Sequence, residues 1–316
     1  MKRFDVVVVG GGLRGLRAAQ VAVTARPDAQ VLCVEAAPQP GGDVQSLRSN
    51  GFVCELGPFA FSREEVEHLL APLASPPRVA AAREGARAGW LFDGEARRPL
   101  SVDPEPLSFP TGCEDVVQAY RRQLGGVLRL GRRVVEVAPR DDGAFDVRLG
   151  GEVADELIAA EVAFATDCAD AARALAKFEP ELPLVAERVG ERERAFVWFG
   201  GIAAEAPELT GYGVLPGPQL SSTVAEMIFC TEVFEKRAMP GRVLVRAEVA
   251  DVAPCDDEQL TRQVEAELRR WTGTRAPFGF TKVHRFTARA PDGDAAECRA
   301  RVEEIARRVP GLSLAP

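Results

Sequence analysis

Phe4-Asp5-Val6-Val7-Val8-Val9-Gly10-Gly11-Gly12-Leu13-Arg14-Gly15 is the stretch that decides how this chain folds. The apolar, β-branched run is that of a strand buried on both faces. Leu16, Ala19 and Val23 then keep helical spacing, and Gln30-Val31-Leu32-Cys33-Val34 predicts a second strand with Glu35 at its end, 20 residues beyond Gly15. Strand, glycine turn, helix, strand and acid in that order make a dinucleotide-binding βαβ unit. Gly10 supplies the tight turn, Gly12 lets the backbone approach a pyrophosphate, and Gly15 lets the helix lie close on the sheet. The free N–H groups of the first helical turn then face the phosphates, with Leu13 and Arg14 in that turn. Glu35 is placed to accept hydrogen bonds from ribose hydroxyls, and its charge repels a 2′-phosphate, so FAD or NAD is favoured over NADP.

With 316 residues the chain can hold a large core and is expected to form two lobes. Its net charge of −8 argues against nucleic acid and against anionic membrane surfaces. The seven cysteines, Cys33, Cys54, Cys113, Cys168, Cys230, Cys255 and Cys298, are scattered and include no Cys-x-x-Cys pair. Together with only two histidines, His68 and His284, they give no zinc pattern. Reduced thiols and a cytoplasmic location are expected. Met1-Lys2-Arg3 is followed too soon by Asp5 for a signal peptide, and no run approaches the roughly 20 apolar residues of a membrane helix.

Along the chain, Gly41-Gly42-Asp43 closes a loop whose glycines allow close backbone approach, and Phe52–Pro58 reads as a short strand and turn. Ser62-Arg63-Glu64-Glu65 is a capping box that opens a helix with Val66, Leu69, Leu70 and Leu73 on one face. His68 on that helix has no sequence partner and reads as structural or solvated. Trp90-Leu91-Phe92-Asp93-Gly94 signals a hairpin, and the proline-rich stretch from Pro99 to Pro110 a crossing between lobes. A helix over Cys113–Leu124 precedes strands over Val127–Leu130, Arg133–Val137, Ala144–Leu149 and Ala159–Ala165, a meander ending at Thr166-Asp167. Later strands are expected over Ala195–Gly200, Glu226–Cys230, Arg242–Val249 and Phe278–Phe286. An amphipathic helix covers Asp257–Thr272, a last helix follows Asp294, and a final strand begins at Leu312. The fold class is α/β, a Rossmann-like FAD-binding domain (βαβ plus β-meander) with a second, strand-rich α+β lobe. The first domain is expected to comprise 1–98, 112–176 and 296–316, the second lobe 177–295, and the crossover 99–111.

These segments resemble the protoporphyrinogen oxidases within the flavin-containing amine oxidase group. The N-terminal unit through Gly41-Gly42 and Glu55-x-Gly57-Pro58 is similar to that family's FAD-binding start, and Ala165-Thr166-Asp167 to its return to the FAD sheet. Gly211–Leu215, Phe229–Phe234, Arg237–Gly241, Val283–Phe286 and Pro310–Leu312 follow the same pattern in order. The resemblance implies that Gly10, Gly12, Leu13, Arg14, Gly15, Glu35, Gly41, Gly42, Val134, Ala165 and Thr166 surround FAD or at least its ADP moiety, although the cofactor could be absent. It also implies three departures. The family's long helical insertion is reduced to Arg97–Phe109. A glycine-rich segment and helix that follow the last strand in the family lie beyond Ala315-Pro316. Asp43 stands where relatives carry Arg or Lys, with Arg14 the candidate to offset it.

Three functions stay open. The leading expectation is a degenerate relative with a binding, regulatory or partner-dependent role and no assigned catalytic residue. The second is an FAD-dependent oxidoreductase of a porphyrinogen-like, amine or other hydrophobic substrate, completed by a partner. The third is a small NAD-dependent enzyme. Loss of the insertion leads one to expect an uncovered apolar patch around Phe196, Trp198 and Phe199, and hence a protein partner or self-association there.

Overall fold

The computed structural model describes residues 1–102, 105–151, 155–290 and 293–315. Asp103 and Pro104 of the expected crossover, and Pro316, lie outside them. The chain opens with β1 (Lys2–Val9), α1 (Leu13–Ala25) and β2 (Val31–Val34), the expected βαβ unit. A ribbon of β3 (Ser46–Ser49) and β4 (Phe52–Glu55) follows, then α2 (Arg63–Leu70) and β5 (Ala80–Ala81). The hairpin of β6 (Ala88–Phe92) and β7 (Arg97–Ser101) precedes β8 (Leu107–Ser108) and α3 (Glu114–Leu124). Next come β9 (Leu128–Arg129), β10 (Arg133–Pro139), β11 (Phe145–Gly150), β12 (Asp155–Phe164), α4 (Cys168–Ala174) and α5 (Leu182–Arg188). The second half holds β13 (Glu191–Ile202), β14 (Gly213–Pro216), β15 (Val224–Phe229), α6 (Cys230–Val233) and β16 (Arg242–Val249). It ends with α7 (Asp257–Thr272), β17 (Phe280–Arg289), α8 (Gly293–Arg308) and β18 (Leu312–Leu314).

Two large sheets organise the described residues. The first runs β10-β11-β12-β1-β2-β9, with β18 also on β12. Its centre is parallel, β1 lying between β12 and β2. Alternation along β1 sends Val7 and Val9 to the core under α4, α5 and α8, and Val6 and Val8 to the core under α1 and α3. That is why four consecutive valines are needed here: both faces are covered. The meander is β10 to β12 alone, because β9 leaves it and pairs parallel with β2 at the opposite edge. Both capping boxes form as their residues dictate, Ser62 with Glu65 on α2 and Asp256 with Gln259 on α7, and Gly273 ends α7 in the left-handed region.

The second sheet runs β17-β13-β16-β15-β14-β6-β7. It takes in the Trp90 hairpin, which the sequence reading had placed in the first domain; β6 pairs parallel with β14, in register Val214 with Trp90. Conversely, α5 packs in the first core through Leu182, Val185 and Ala186, so the first domain extends past Ala176. The expected apolar patch is absent. Phe196, Trp198 and Phe199 are 4%, 0% and 0% exposed. β13 is covered on one face by α7, through Leu260, Val264 and Trp271, and on the other by Phe52, Phe59 and Phe234. Phe52 of the β3–β4 ribbon, together with Phe59 and Phe234, therefore closes the face on which the sequence leads one to expect an uncovered patch.

The two sheets are locked by a buried ion pair. Glu55, at the end of β4, and Arg237 are 1% and 0% exposed and 3.5 Å apart. Glu55 also accepts from Ser46 Oγ at 2.6 Å and from the Cys113 N–H at 3.0 Å, while Arg237 donates to Ser108 Oγ at 2.6 Å and Phe109 O at 3.3 Å. Burial pushes the Glu55 carboxyl above its usual range, and the Arg237 guanidinium pulls it back. Arg237→Met should cost about 3–5 kcal/mol at neutral pH, since a buried charge is left unpaired. The Glu55 carboxyl then titrates still higher in the folded state than unfolded, so the folded state binds the extra proton and stability falls as pH rises through that window. Urea unfolding should show the variant's deficit narrowing as the pH is lowered from neutral. An unchanged deficit would remove Glu55 as its cause.

Candidate functional site: a dinucleotide cleft and an adjoining cavity

The glycine turn connects β1 to α1 at the carboxyl end of the first sheet. Gly10 adopts φ +101°, closed to side chains other than glycine, and its N–H bonds to Val34 O at 2.8 Å. A Cβ on Gly15 would lie 1.8 Å from Gly10 O, so the helix can approach only without a side chain there. A Cβ on Gly12 would meet nothing within 4 Å. Gly12 is the N-cap of the 13-residue α1 and has no side chain to satisfy the first-turn N–H groups, which leaves them to an outside acceptor.

Gly10, Glu35, Val134 and Thr166 line one cleft of about 340 Å3, with Arg133 and Asp170 at its rim. Those last two pair at 3.1 Å. Thr166 Oγ1 is buried with no partner among the described residues. Glu35 behaves differently from expectation in one respect. Its carboxylate accepts from the Gly11 and Ala37 N–H groups at 2.5 and 2.7 Å, holding the turn it faces. A carboxylate has about four acceptor positions, so two backbone donors leave room for ribose hydroxyls.

The remaining predicted residues divide by role. Leu13 packs against the α1 side of the core, and Ala165 lies under the turn, its N–H bonded to Val9 O at 2.8 Å. Gly41 bonds through its N–H to Gly11 O at 2.7 Å, and Gly42 lies 3.4 Å from Gly12 Cα measured from a Cβ position. Arg14 is exposed and lines a separate cavity of about 370 Å3 with Arg299 and Ala315. Asp43 faces another cavity altogether, so Arg14 does not offset it.

That other cavity, about 520 Å3, begins at Gly42 and Asp43 and runs onto the face of the second sheet. Sequence reading did not find it, because its side chains converge only through strand register. Arg246 is its anchor: it donates to Gly57 O at 2.6 Å, lies 3.4 Å from Glu226, and stacks 4.4 Å from the Phe196 ring centroid. Arg194 pairs with Glu248 at the same face. Burial pushes Glu226 up and His284 down from their usual values, the first opposed by Arg246 and the second reinforced by Lys282. His284 lines the cavity beside Phe286, whereas its neighbour Arg285 turns to Asp257 and Glu193. His68 is exposed on α2. Among the described residues no group of three or more His, Cys, Asp or Glu is placed to hold a metal ion, and no helix is long and apolar enough to cross a membrane.

A glycine turn on a βαβ sheet, with a cavity on the face of a second sheet, is the architecture of a dinucleotide-binding domain joined to a second lobe. Comparison with known families agrees: residues 8–73 match the NAD(P)-binding Rossmann-like domain, and residues 78–304 match the flavin containing amine oxidoreductase family. The chain belongs to the flavin containing amine oxidoreductase family. It is 42% identical over 165 residues to protoporphyrinogen oxidase 1, chloroplastic, of Arabidopsis thaliana, a match covering 49% of this chain and 29% of that protein. It is 38% identical over 57 residues to coproporphyrinogen III oxidase of Staphylococcus aureus (strain NCTC 8325 / PS 47), covering 18% of this chain and 12% of that protein. The matches thus span less than a third of either curated relative. A crystal structure of a protein from Exiguobacterium sp. 255-15, described provisionally as a protoporphyrinogen oxidase, superposes with a TM-score of 0.79 at 17% identity. It covers 99% of this chain and 93% of that one, a likeness of fold.

The cleft and the turn beside it fit the ADP half of FAD: an unpartnered buried hydroxyl at Thr166 and an acid at Glu35 line the cleft, and the neighbouring turn presents an open face at Gly12. Gly12→Val should leave the urea midpoint close to wild type, since its Cβ enters open space, yet abolish FAD and ADP binding in equilibrium dialysis. Gly15→Ala should instead destabilise the fold, its Cβ overlapping a backbone oxygen. Equal ligand binding by wild type and Gly12→Val would remove the cleft as the nucleotide site.

Proposed function

We propose that the protein binds FAD, with the ADP moiety in the cleft of Gly10, Gly12, Glu35, Val134 and Thr166, and acts as an FAD-dependent oxidoreductase on a hydrophobic substrate of the porphyrinogen or amine class. One observation carries this reading: the loop that is bonded to the glycine turn also lines the cavity. Gly41 is bonded to the glycine turn, and the next residue, Gly42, lines the cavity. An extended dinucleotide seated at Gly12 is thereby led past Gly42 to the wall of Phe59, Phe196 and Phe286.

Bound FAD would supply two-electron acceptance, and the chain supplies position and environment. Gly12 and the α1 N-terminus hold phosphate, Glu35 holds ribose, and the Leu56–Ala60 segment, fixed by Arg246 on Gly57 O, shapes the near wall of the cavity. Aromatic side chains keep that wall dry. All seven cysteines are free, which fits a reducing, cytoplasmic setting.

Binding without turnover is the second reading, favoured by one feature: the cavity's guanidiniums are already engaged with its own carboxylates, Arg246 with Glu226 and Arg194 with Glu248. Purified protein incubated with FAD and freed of excess should be yellow, and the colour should bleach anaerobically on adding a porphyrinogen or an amine. A yellow protein that neither class bleaches supports the second reading, and a colourless one overturns both. Glu35→Gln should weaken FAD and ADP alike by about 1.5–3 kcal/mol, read by titration calorimetry, because hydrogen bonds to a charged acceptor are of that size. Unchanged affinity would place the ribose elsewhere.

A further inference from the structure

Strand register fixes which side chains stand on the cavity floor. Phe196 of β13 pairs with His284 of β17 on one side and with Glu248 of β16 on the other, and Glu248 pairs with Glu226 of β15. A line of His284, Phe196, Glu248 and Glu226 therefore crosses four adjacent strands, and all four residues line the cavity. The irregularity in β15 between Val224 and Glu226 sets the two carboxylates directly opposite each other. Like charges facing across strands repel, and sequences avoid the arrangement unless something compensates.

Compensation here is partial. Arg246 lies 3.4 Å from Glu226, and Arg194 holds Glu248. Arg246 is only 4% exposed, lines the same cavity, and leaves its Nε without an acceptor among the described residues. A buried guanidinium N–H with no acceptor points to a polar group supplied by whatever occupies the cavity. Arg194 also acts on Glu226, as does Tyr212 beside β14, whose phenol burial and Glu226 push upward, while His284 on β17 and Asp43 line the same cavity.

We propose that Glu226, facing Glu248 across the cavity floor, is the group that takes up the proton released by the substrate. The proposal rests on reading the cavity as a substrate site. Oxidising an amine or a porphyrinogen carbon forms a double bond in the substrate. One C–H bond breaks and its hydrogen leaves with the electron pair, the two-electron acceptance that bound FAD would supply. A neighbouring N–H or C–H bond breaks, its electron pair becomes the new π bond, and its proton passes to a Glu226 carboxylate oxygen, which becomes a neutral acid. Glu248, facing Glu226 across the strands, raises the proton affinity of Glu226, and Arg246 limits that rise so that the proton can be returned to water.

The test is a carboxyl-carbon NMR titration of the cofactor-free protein labelled in glutamate, with Glu226 assigned by its loss in Glu226→Gln. Glu226 should titrate above the ordinary carboxylate range. In Glu248→Gln it should move down by on the order of one pH unit, because the facing charge is gone. Arg246→Gln should move it up. A Glu226 that titrates in the ordinary range, or that does not shift in the isosteric Glu248→Gln, overturns the proposal even if Arg246→Gln fails to fold. In the FAD-loaded protein, substrate-dependent bleaching should lose its acidic limb in Glu226→Gln with FAD retention unchanged, whereas a bleaching profile identical to wild type counts against it. Failure of FAD to bind at all overturns the functional reading and leaves the titration to be read separately.

Discussion

Removing water from both partners of the Glu55–Arg237 pair is the constraint around which the two sheets are assembled. Neither group can be buried alone, so their contact specifies how the ribbon carrying Glu55 sits against the segment carrying Arg237. The pair also reaches Ser46, Ser108, Phe109 and the N-terminus of the helix that begins at Glu114. Gly112 is part of the same constraint: at φ +128° a side chain there would stand 2.4 Å from Ser46 Oγ. With the ribbon so fixed, Phe52 stacks on Phe280 at 4.7 Å between centroids, and the inner face of the second sheet is closed.

The same ribbon sets up the cavity. Glu55 is followed by Leu56, Gly57 and Pro58, and Arg246 reaches across from the second sheet to the carbonyls of Glu55 and Gly57. Arg246 therefore faces two ways: its donors tie the nucleotide-side loop, and its charge balances a carboxylate of the sheet. A side chain in that position makes the separation between cleft and cavity a property of the packed core.

Much of the first sheet was legible from local pattern. Four valines, three glycines and an acid encode strand, turn, helix and strand within a single continuous stretch, and each signal agrees with its neighbours. The amphipathic helix over Asp257–Thr272 and the strand over Arg242–Val249 were legible for the same reason. Longer-range facts were not. The short strand at Leu128 looks like the start of the meander, but its partner is β2, far earlier in the chain, with Cys33 pairing Leu128 at the opposite edge of the sheet. The Trp90 hairpin carries no local mark of which sheet it joins, and it joins the second through Val214 and Leu215. Phe196 and Trp198 look uncovered in sequence because the residues that cover them, Phe52 and Phe59, come from the other end of the chain, and Phe199 because α7 closes over it only in the folded sheet. The cavity floor was invisible on the same grounds: Arg194, Glu226, Arg246 and Glu248 are ordinary surface types until register brings them together.

The loop from Gly41 to Asp43 touches the glycine turn at one end and the cavity at the other. A substitution in those residues cannot act on only one of the two surfaces. A displacement of the glycine turn is handed on through three consecutive residues to the mouth of the cavity, so the two surfaces are mechanically one part.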